Sequence, residues 1–202
     1  MKATRASSMK IAVLSAGIAL WSTGVHAAPI TYTESATVSG TLGGTPFSNA
    51  MITITGTGDT TGVFNDGNFR NNLSPVSFSI SGDGSGTFTD AIQVFDNPTF
   101  SPTAAAGFDD ITLGQPSILD TFDSAFGAYN LTTAIGPITG PPFINPGLAF
   151  ATTAGALVLN TSGNSTFTAA SVPGPIAGAG LPGLILAGAG LIGWWRRRQK
   201  SA

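Results

Sequence analysis

Between residues 28 and 172, apolar side chains recur at every second position in short bursts. Clusters of Gly, Ser, Thr, Asn and Asp separate the bursts. In Met51-Ile52-Thr53-Ile54-Thr55 the isoleucines fall on one face and the threonines on the other, the period of a half-buried strand. Pro75 to Ser81 repeats the pattern, with Val76, Phe78 and Ile80 inward against Ser77, Ser79 and Ser81. Gly82-Asp83-Gly84-Ser85-Gly86 reads as a turn and Thr87-Phe88-Thr89 as the start of the returning strand, which Ile92 and Val94 continue. Two more hairpins are predicted: Tyr32 to Leu42 and Pro46 to Ile54 flank Gly43-Gly44, and Ala156 to Asn160 and Ser165 to Ala169 flank Thr161-Ser162-Gly163-Asn164. Ser117 to Tyr129 is the one candidate for a short helix. The Pro-rich stretches Asn97 to Pro102 and Gly136 to Pro146 predict long, extended, solvated loops. Short strands with turn signals at this spacing predict an all-β fold, a single antiparallel β-sandwich over residues 28–171.

The two ends of the chain follow a different pattern. Lys2, Arg5 and Lys10 precede an apolar core, Ile11 to Trp21, that is short for a bilayer span. Val25-His26-Ala27 then places small or modest residues for cleavage between Ala27 and Ala28. Residues 1–27 therefore read as a secretory signal peptide. At the other end, Val172-Pro173-Gly174-Pro175 leads into twenty residues, Ile176 to Trp195, without a charge. As a helix this run spans about 30 Å, one hydrocarbon core. Trp194 and Trp195 fit an interfacial anchor, and Arg196, Arg197, Arg198 and Lys200 form a basic cytoplasmic end at 196–202 that stops transfer.

A short Pro-x-Pro motif, one apolar helix and an Arg-rich end, in that order, resemble the PEP-CTERM sorting signal of Gram-negative bacteria. The glycine at position 174 matches the Val-Pro-Gly-Pro variant of that signal. The resemblance covers about residues 172–200 and leaves the preceding domain untouched. It implies handling by an exosortase-like membrane transpeptidase or protease after signal peptidase has acted. Cleavage would fall near Val172, Pro173, Gly174 and Pro175, leaving the helix behind. It also implies transient residence in the inner membrane with a periplasmic ectodomain, then the cell surface or extracellular space, in the company of polysaccharide and biofilm. The alternative is a permanent single-pass anchor.

Charge sharpens the division between ends and middle. Seven of the eight basic residues lie in the terminal segments, leaving Arg70 alone among ten acidic residues in the exported part, a formal charge of −9. Such a domain lacks the several Lys or Arg that neutralise phosphates, which excludes nucleic acid as a partner. The chain has no Cys, and its one histidine, His26, falls in the signal peptide. The exported part therefore lacks Ser-His-Asp, Cys-His, Schiff-base and zinc chemistry. Its apolar mass is all thirteen Phe together with Ile, Leu and Val.

Carboxylates are the remaining candidate chemistry. Asp109-Asp110 and Asp120 with Asp123 are the densest groups, and adjacent aspartates read most simply as solvated turn residues. Asp59-Thr60-Thr61-Gly62 has only a superficial likeness to an aspartic-protease loop, with no second copy. Asp66, Asp83 and Asp90 are weak calcium candidates in Gly-rich turns and match neither the EF-hand loop nor a calcium-binding β-helix repeat. No catalytic residue and no cofactor is assigned.

The leading expectation is a non-enzymatic cell-surface or matrix protein, sorted by an exosortase. A second is a carbohydrate-binding or adhesive module, which requires a cluster of aromatic rings on an exposed face. A third, a carboxylate glycosidase, requires two Asp side chains facing one cleft.

Overall fold

The computed structural model describes residues 29–173. The signal peptide with Ala27 and Ala28 lies outside the described residues, as does the tail from Gly174 and Pro175 through Ile176, Trp194, Trp195, Arg196, Arg197, Arg198 and Lys200. Among the described residues no helix is long and apolar enough to cross a membrane.

Over Pro29–Leu42, Thr45–Asp59 and Val76–Ile80, strands form where β-branched and aromatic residues alternate with Ser, Thr or Gly. In chain order the strands are β1 (Pro29–Leu42), β2 (Thr45–Asp59), β3 (Phe64–Asn65), β4 (Phe69–Leu73), β5 (Val76–Ile80), β6 (Gly84–Thr87) and β7 (Ile92–Asn97). Then come β8 (Ala105–Asp110), β9 (Ser117–Phe122), β10 (Ile135–Gly140), β11 (Pro142–Phe143), β12 (Ala149–Phe150) and β13 (Leu157–Ser171). The first sheet runs β10-β13-β1-β2-β5-β6, with β12 also on β13. The second runs β11-β9-β8-β7-β4-β3. All pairings are antiparallel.

The inward faces of both sheets share one core. Ile30, Tyr32, Ile52, Ile54, Phe78 and Phe167 come from the first sheet, and Ile92, Val94, Ala106, Phe108 and Leu119 from the second. Each large side chain buried there contributes roughly 1.5–3 kcal/mol. The fold is all-β, two antiparallel sheets facing one another. Polar links cross the interior at two places. Asn71 of β4 donates from Nδ2 to the Tyr32 hydroxyl at 3.3 Å, and that hydroxyl donates to the Leu131 carbonyl at 2.6 Å. Glu34 of β1 meets Thr121 of β9 at 2.8 Å.

Several local expectations hold. Gly43-Gly44 turns β1 into β2 through two positive φ values, and Ile52, Ile54, Val76, Phe78 and Ile80 all point inward. Others are corrected. Ile92 and Val94 do not continue β6; the chain crosses to the second sheet, and the same inward period is read from the opposite side of the core. The hairpin at residues 161–164 does not form. β13 runs unbroken along β1, and the Ser162-Gly163-Asn164 segment is absorbed as a bulge where the register steps from Ala36↔Ser165 to Val38↔Ser162. Folding back there would have stripped a long stretch of β1 of its hydrogen-bond partners.

Ser117 to Tyr129 is not a helix. It is β9 followed by a 3₁₀ turn, Ser124–Ala128, capped where Asp123 Oδ1 accepts from Ala125 N at 2.8 Å. Residues 98–102 loop as expected beyond the end of β7 at Asn97, but the 136–146 stretch supplies most of β10 and all of β11. Both lie at sheet edges, where a proline's missing N–H leaves no ladder bond unmade. The Asp59 loop is a single 3₁₀ turn whose acid accepts from Thr61 N and Thr61 Oγ1, both at 2.8 Å.

Candidate functional site

Strand alternation places one cross-strand row on the outer face of the second sheet. Phe64 of β3 stands opposite Arg70 of β4, Arg70 opposite Phe95 of β7, Phe95 opposite Gly107 of β8, Gly107 opposite Asp120 of β9, and Asp120 opposite Phe143 of β11. The row begins and ends on exposed rings, Phe64 at 43% and Phe143 at 45% of full exposure. A parallel row sets Gln93 opposite Asp109, and Asp109 opposite Ser117. The face thus collects an Arg, two acids and several aromatic rings from six different strands.

Gly107 makes the arrangement possible. A Cβ there would stand 2.5 Å from Asp120 Oδ1 and closer still to the Leu119 carbonyl. Without it, the Asp120 side chain lies over the sheet. Asp120 is 4% exposed, and its Oδ1 accepts no hydrogen bond among the described residues. Burial, reinforced by the charge of Asp109, pushes the Asp120 carboxyl well above the usual carboxylate range.

Asp109, by contrast, is fully occupied. Its Oδ2 accepts from Arg70 Nη1 at 3.3 Å and Gln93 Nε2 at 3.4 Å, and its Oδ1 from Ser117 Oγ at 3.3 Å. Burial outweighs these donors and pushes it up to about 6. Arg70 is equally committed. Its Nε donates to Asp66 Oδ1 at 3.2 Å, and Asn68, in the amide orientation that turns its oxygen to the guanidinium, accepts from Nη2 at 3.1 Å. The Asn68 backbone N–H and Arg70 together hold the exposed Asp66 below its ordinary value.

Arg70, Asp109 and Asp120 line a cavity of about 220 Å³ on this face, walled by Phe95, Phe100 and Phe143. Asn97, Gln115 and Ser117 supply further hydrogen-bonding groups around it. Phe100 is 46% exposed and packs on Phe122 with ring centroids 5.3 Å apart. Beyond that pair lies a second, apolar cavity of about 210 Å³ that includes Pro102 and Pro141. A larger hollow of about 400 Å³ opens at the seam between the sheets near Pro75, Phe88 and Asp90. It gathers less side-chain chemistry, so the outer face of the second sheet is the stronger candidate.

The sequence-derived residues fare unevenly. Asp66 sits in the β3–β4 turn, Asp83 in the β5–β6 turn of the other sheet, and Asp90 in the crossover before β7. The fold does not bring these calcium candidates together, and among the described residues no group of three His, Cys, Asp or Glu is placed to hold a metal. Val172 and Pro173 emerge exposed from β13, with Val172 N donating to the Pro29 carbonyl at 2.9 Å.

Asp109, Asp110 and Asp120 are not solvated turn residues but buried strand residues, which corrects their reading from sequence. Their flanks held the signal. Phe108-Asp109-Asp110-Ile111 and Leu119-Asp120-Thr121-Phe122 embed acids in apolar strand residues rather than in Gly-rich turns. Arg70 and the rings of Phe95, Phe100, Phe122 and Phe143 went unrecognised, because only strand pairing makes them neighbours.

No family model, curated protein or solved structure matches this chain.

Proposed function

We propose that this is a non-enzymatic, exported surface or matrix protein that holds a saccharide on the outer face of its second sheet. The observation that carries the reading is the cavity where Phe95, Phe100 and Phe143 surround Asp109, Asp120 and Arg70. Sugar rings present apolar C–H faces and a rim of hydroxyls, and a site pairing aromatic rings with fixed polar groups matches both. Asp109 and Asp120 do face one cleft, the arrangement a carboxylate glycosidase needs. Binding is favoured over hydrolysis because Asp109 is already occupied by Arg70, Gln93 and Ser117, so the pair offers no second free carboxylate to act as base or nucleophile.

The setting follows the two ends of the chain. Signal peptidase would cut between Ala27 and Ala28, and an exosortase-like enzyme near Val172-Pro173-Gly174-Pro175. Residues 28–171 would then be delivered as a β-sandwich to the surface or to a polysaccharide-rich biofilm. Pairing of Ile30 with Ser171 is compatible with this, since both expected cleavage points then adjoin the same end of the neighbouring strands β1 and β13. Screening the full chain, in micelles of neutral detergent, against a panel of bacterial and plant oligosaccharides tests the binding. Retention of at least one glycan, lost in Phe143→Ala and Phe100→Ala, is expected. Failure to bind any member, or binding indifferent to both substitutions, would overturn the assignment.

A further inference from the structure

Within the proposed saccharide site, the charges are unbalanced. Arg70 is the only basic residue among those described, and its Nε, Nη1 and Nη2 are directed to Asp66, Asp109 and Asn68. It has little left to offer an anionic ligand. Asp120 is the reverse case: a nine-tenths-buried carboxyl lining the cavity, with an oxygen that accepts nothing and no cation within ion-pairing distance among the described residues.

An ammonium donor brought against that carboxyl from the cavity would supply the partner it lacks and favour its ionised form. The walls point to the donor's charge. Phe95, Phe100 and Phe143 border the same cavity, and aromatic faces attract cations. The formal charge of −9 over the exported part acts in the same direction at long range.

We infer that the cavity selects a saccharide bearing a free amine, a deacetylated hexosamine unit whose ammonium group sits against Asp120 between the phenylalanine rings. This rests on the saccharide reading and narrows it. A uronic acid would bring its carboxylate against two buried acids, with the one nearby cation, Arg70, already committed. An N-acetylated sugar would bring a neutral amide in place of the cation.

Isothermal titration of the full chain, in micelles of neutral detergent, with the tetramers of glucosamine, N-acetylglucosamine and galacturonic acid tests the inference. The glucosamine tetramer is expected to bind at least tenfold more tightly than the N-acetylated one, with no binding of the galacturonide. Raising the salt concentration should weaken the glucosamine tetramer selectively. Asp120→Asn should abolish the preference, whereas Phe143→Ala should weaken both hexosamine tetramers; the salt series covers the case in which Asp120→Asn does not fold. Equal affinity for the two hexosamine tetramers would overturn the amine requirement while leaving the saccharide reading intact. Loss of binding in a chelator would overturn it too, by making a metal the bridge. Absence of binding to all three would overturn the inference, and the glycan panel then decides the broader reading separately.

Discussion

Glu34 of the first sheet and Thr121 of the second meet 2.8 Å apart in the interior, and the hydrogen-bond chain beyond them sets the direction of their proton. Ser165 Oγ gives its one hydrogen to the Asp120 carbonyl at 2.9 Å, so Thr121 must donate across the 2.7 Å contact to Ser165. Thr121 then has no hydrogen left for Glu34. With every link made, Glu34 is the donor, a neutral carboxylic acid. Full burial, together with the charge of Asp120, pushes its carboxyl well above the usual range in agreement.

Stability should therefore fall as Glu34 ionises. Its folded value is raised above its unfolded one, so its contribution is complete below the unfolded value and is lost as pH rises through the folded one. Glu34→Gln keeps an amide donor toward Thr121 and should flatten this part of the profile. Denaturation midpoints across pH test it; a wild-type midpoint that climbs steadily with pH would sink the neutral-acid reading.

Asp96 adds to the same trend. It lies in the core, neither carboxyl oxygen accepts a hydrogen bond, and burial raises it from 3.8 to about 8. The sign is again that of a raised acid: the contribution is complete below about 4 and is lost as pH rises toward and through about 8. Asp96→Asn should remove the loss between those limits, measured as a smaller difference in thermal midpoint between pH 5 and pH 9.

Arg70→Met removes the cation beside Asp109 and leaves a buried carboxylate uncompensated. Removing one partner of a buried pair typically costs about 3–5 kcal/mol. Acid should rescue much of the loss, because Asp109 can then protonate. A urea midpoint equally depressed at pH 5 and pH 8 would show that packing, not charge, was lost.

Gly107→Ala should be among the more damaging single-methyl changes in the domain, about 3 kcal/mol, because the new Cβ meets the Leu119 carbonyl and the Asp120 side chain. Gly127→Ala is the control. Its nearest neighbour across space is the Pro98 carbonyl at 3.9 Å, and its effect should stay within about 0.5 kcal/mol. Chemical denaturation of the two variants decides it.

Mass spectrometry of the exported protein should find no peptide containing Trp194-Trp195. Replacing Pro173 and Pro175 with Ala should restore that peptide by blocking removal of the tail. Its presence in the unmodified exported protein would favour the permanent anchor.

Much of the fold was legible where a local pattern has one structural solution. Gly43-Gly44 between two alternating runs can only turn, and Ile52 and Ile54 can bury together only on one side of a strand. Ser162-Gly163-Asn164 looked equally turn-like, yet the partner it lies against, β1, makes it a bulge. Period two likewise placed Ile92 and Val94 inward but could not say on which sheet, because both sheets face the same core.

The sequence by itself determined an acidic all-β domain without Cys, its alternating core, and the absence of imidazole and thiol chemistry from the part between the ends, all of which follow from residue type and local period. Only the tertiary structure decided that Arg70, Asp109, Asp120 and the rings of Phe95, Phe100 and Phe143 share one cavity. Residues as far apart as 70 and 143 become neighbours through strand order and register, which are settled by long-range pairing. Asp120 makes the difference plain. Its flanks mark it as a strand residue, but its unpartnered, buried carboxyl exists only because Gly107, on the neighbouring strand, leaves it room.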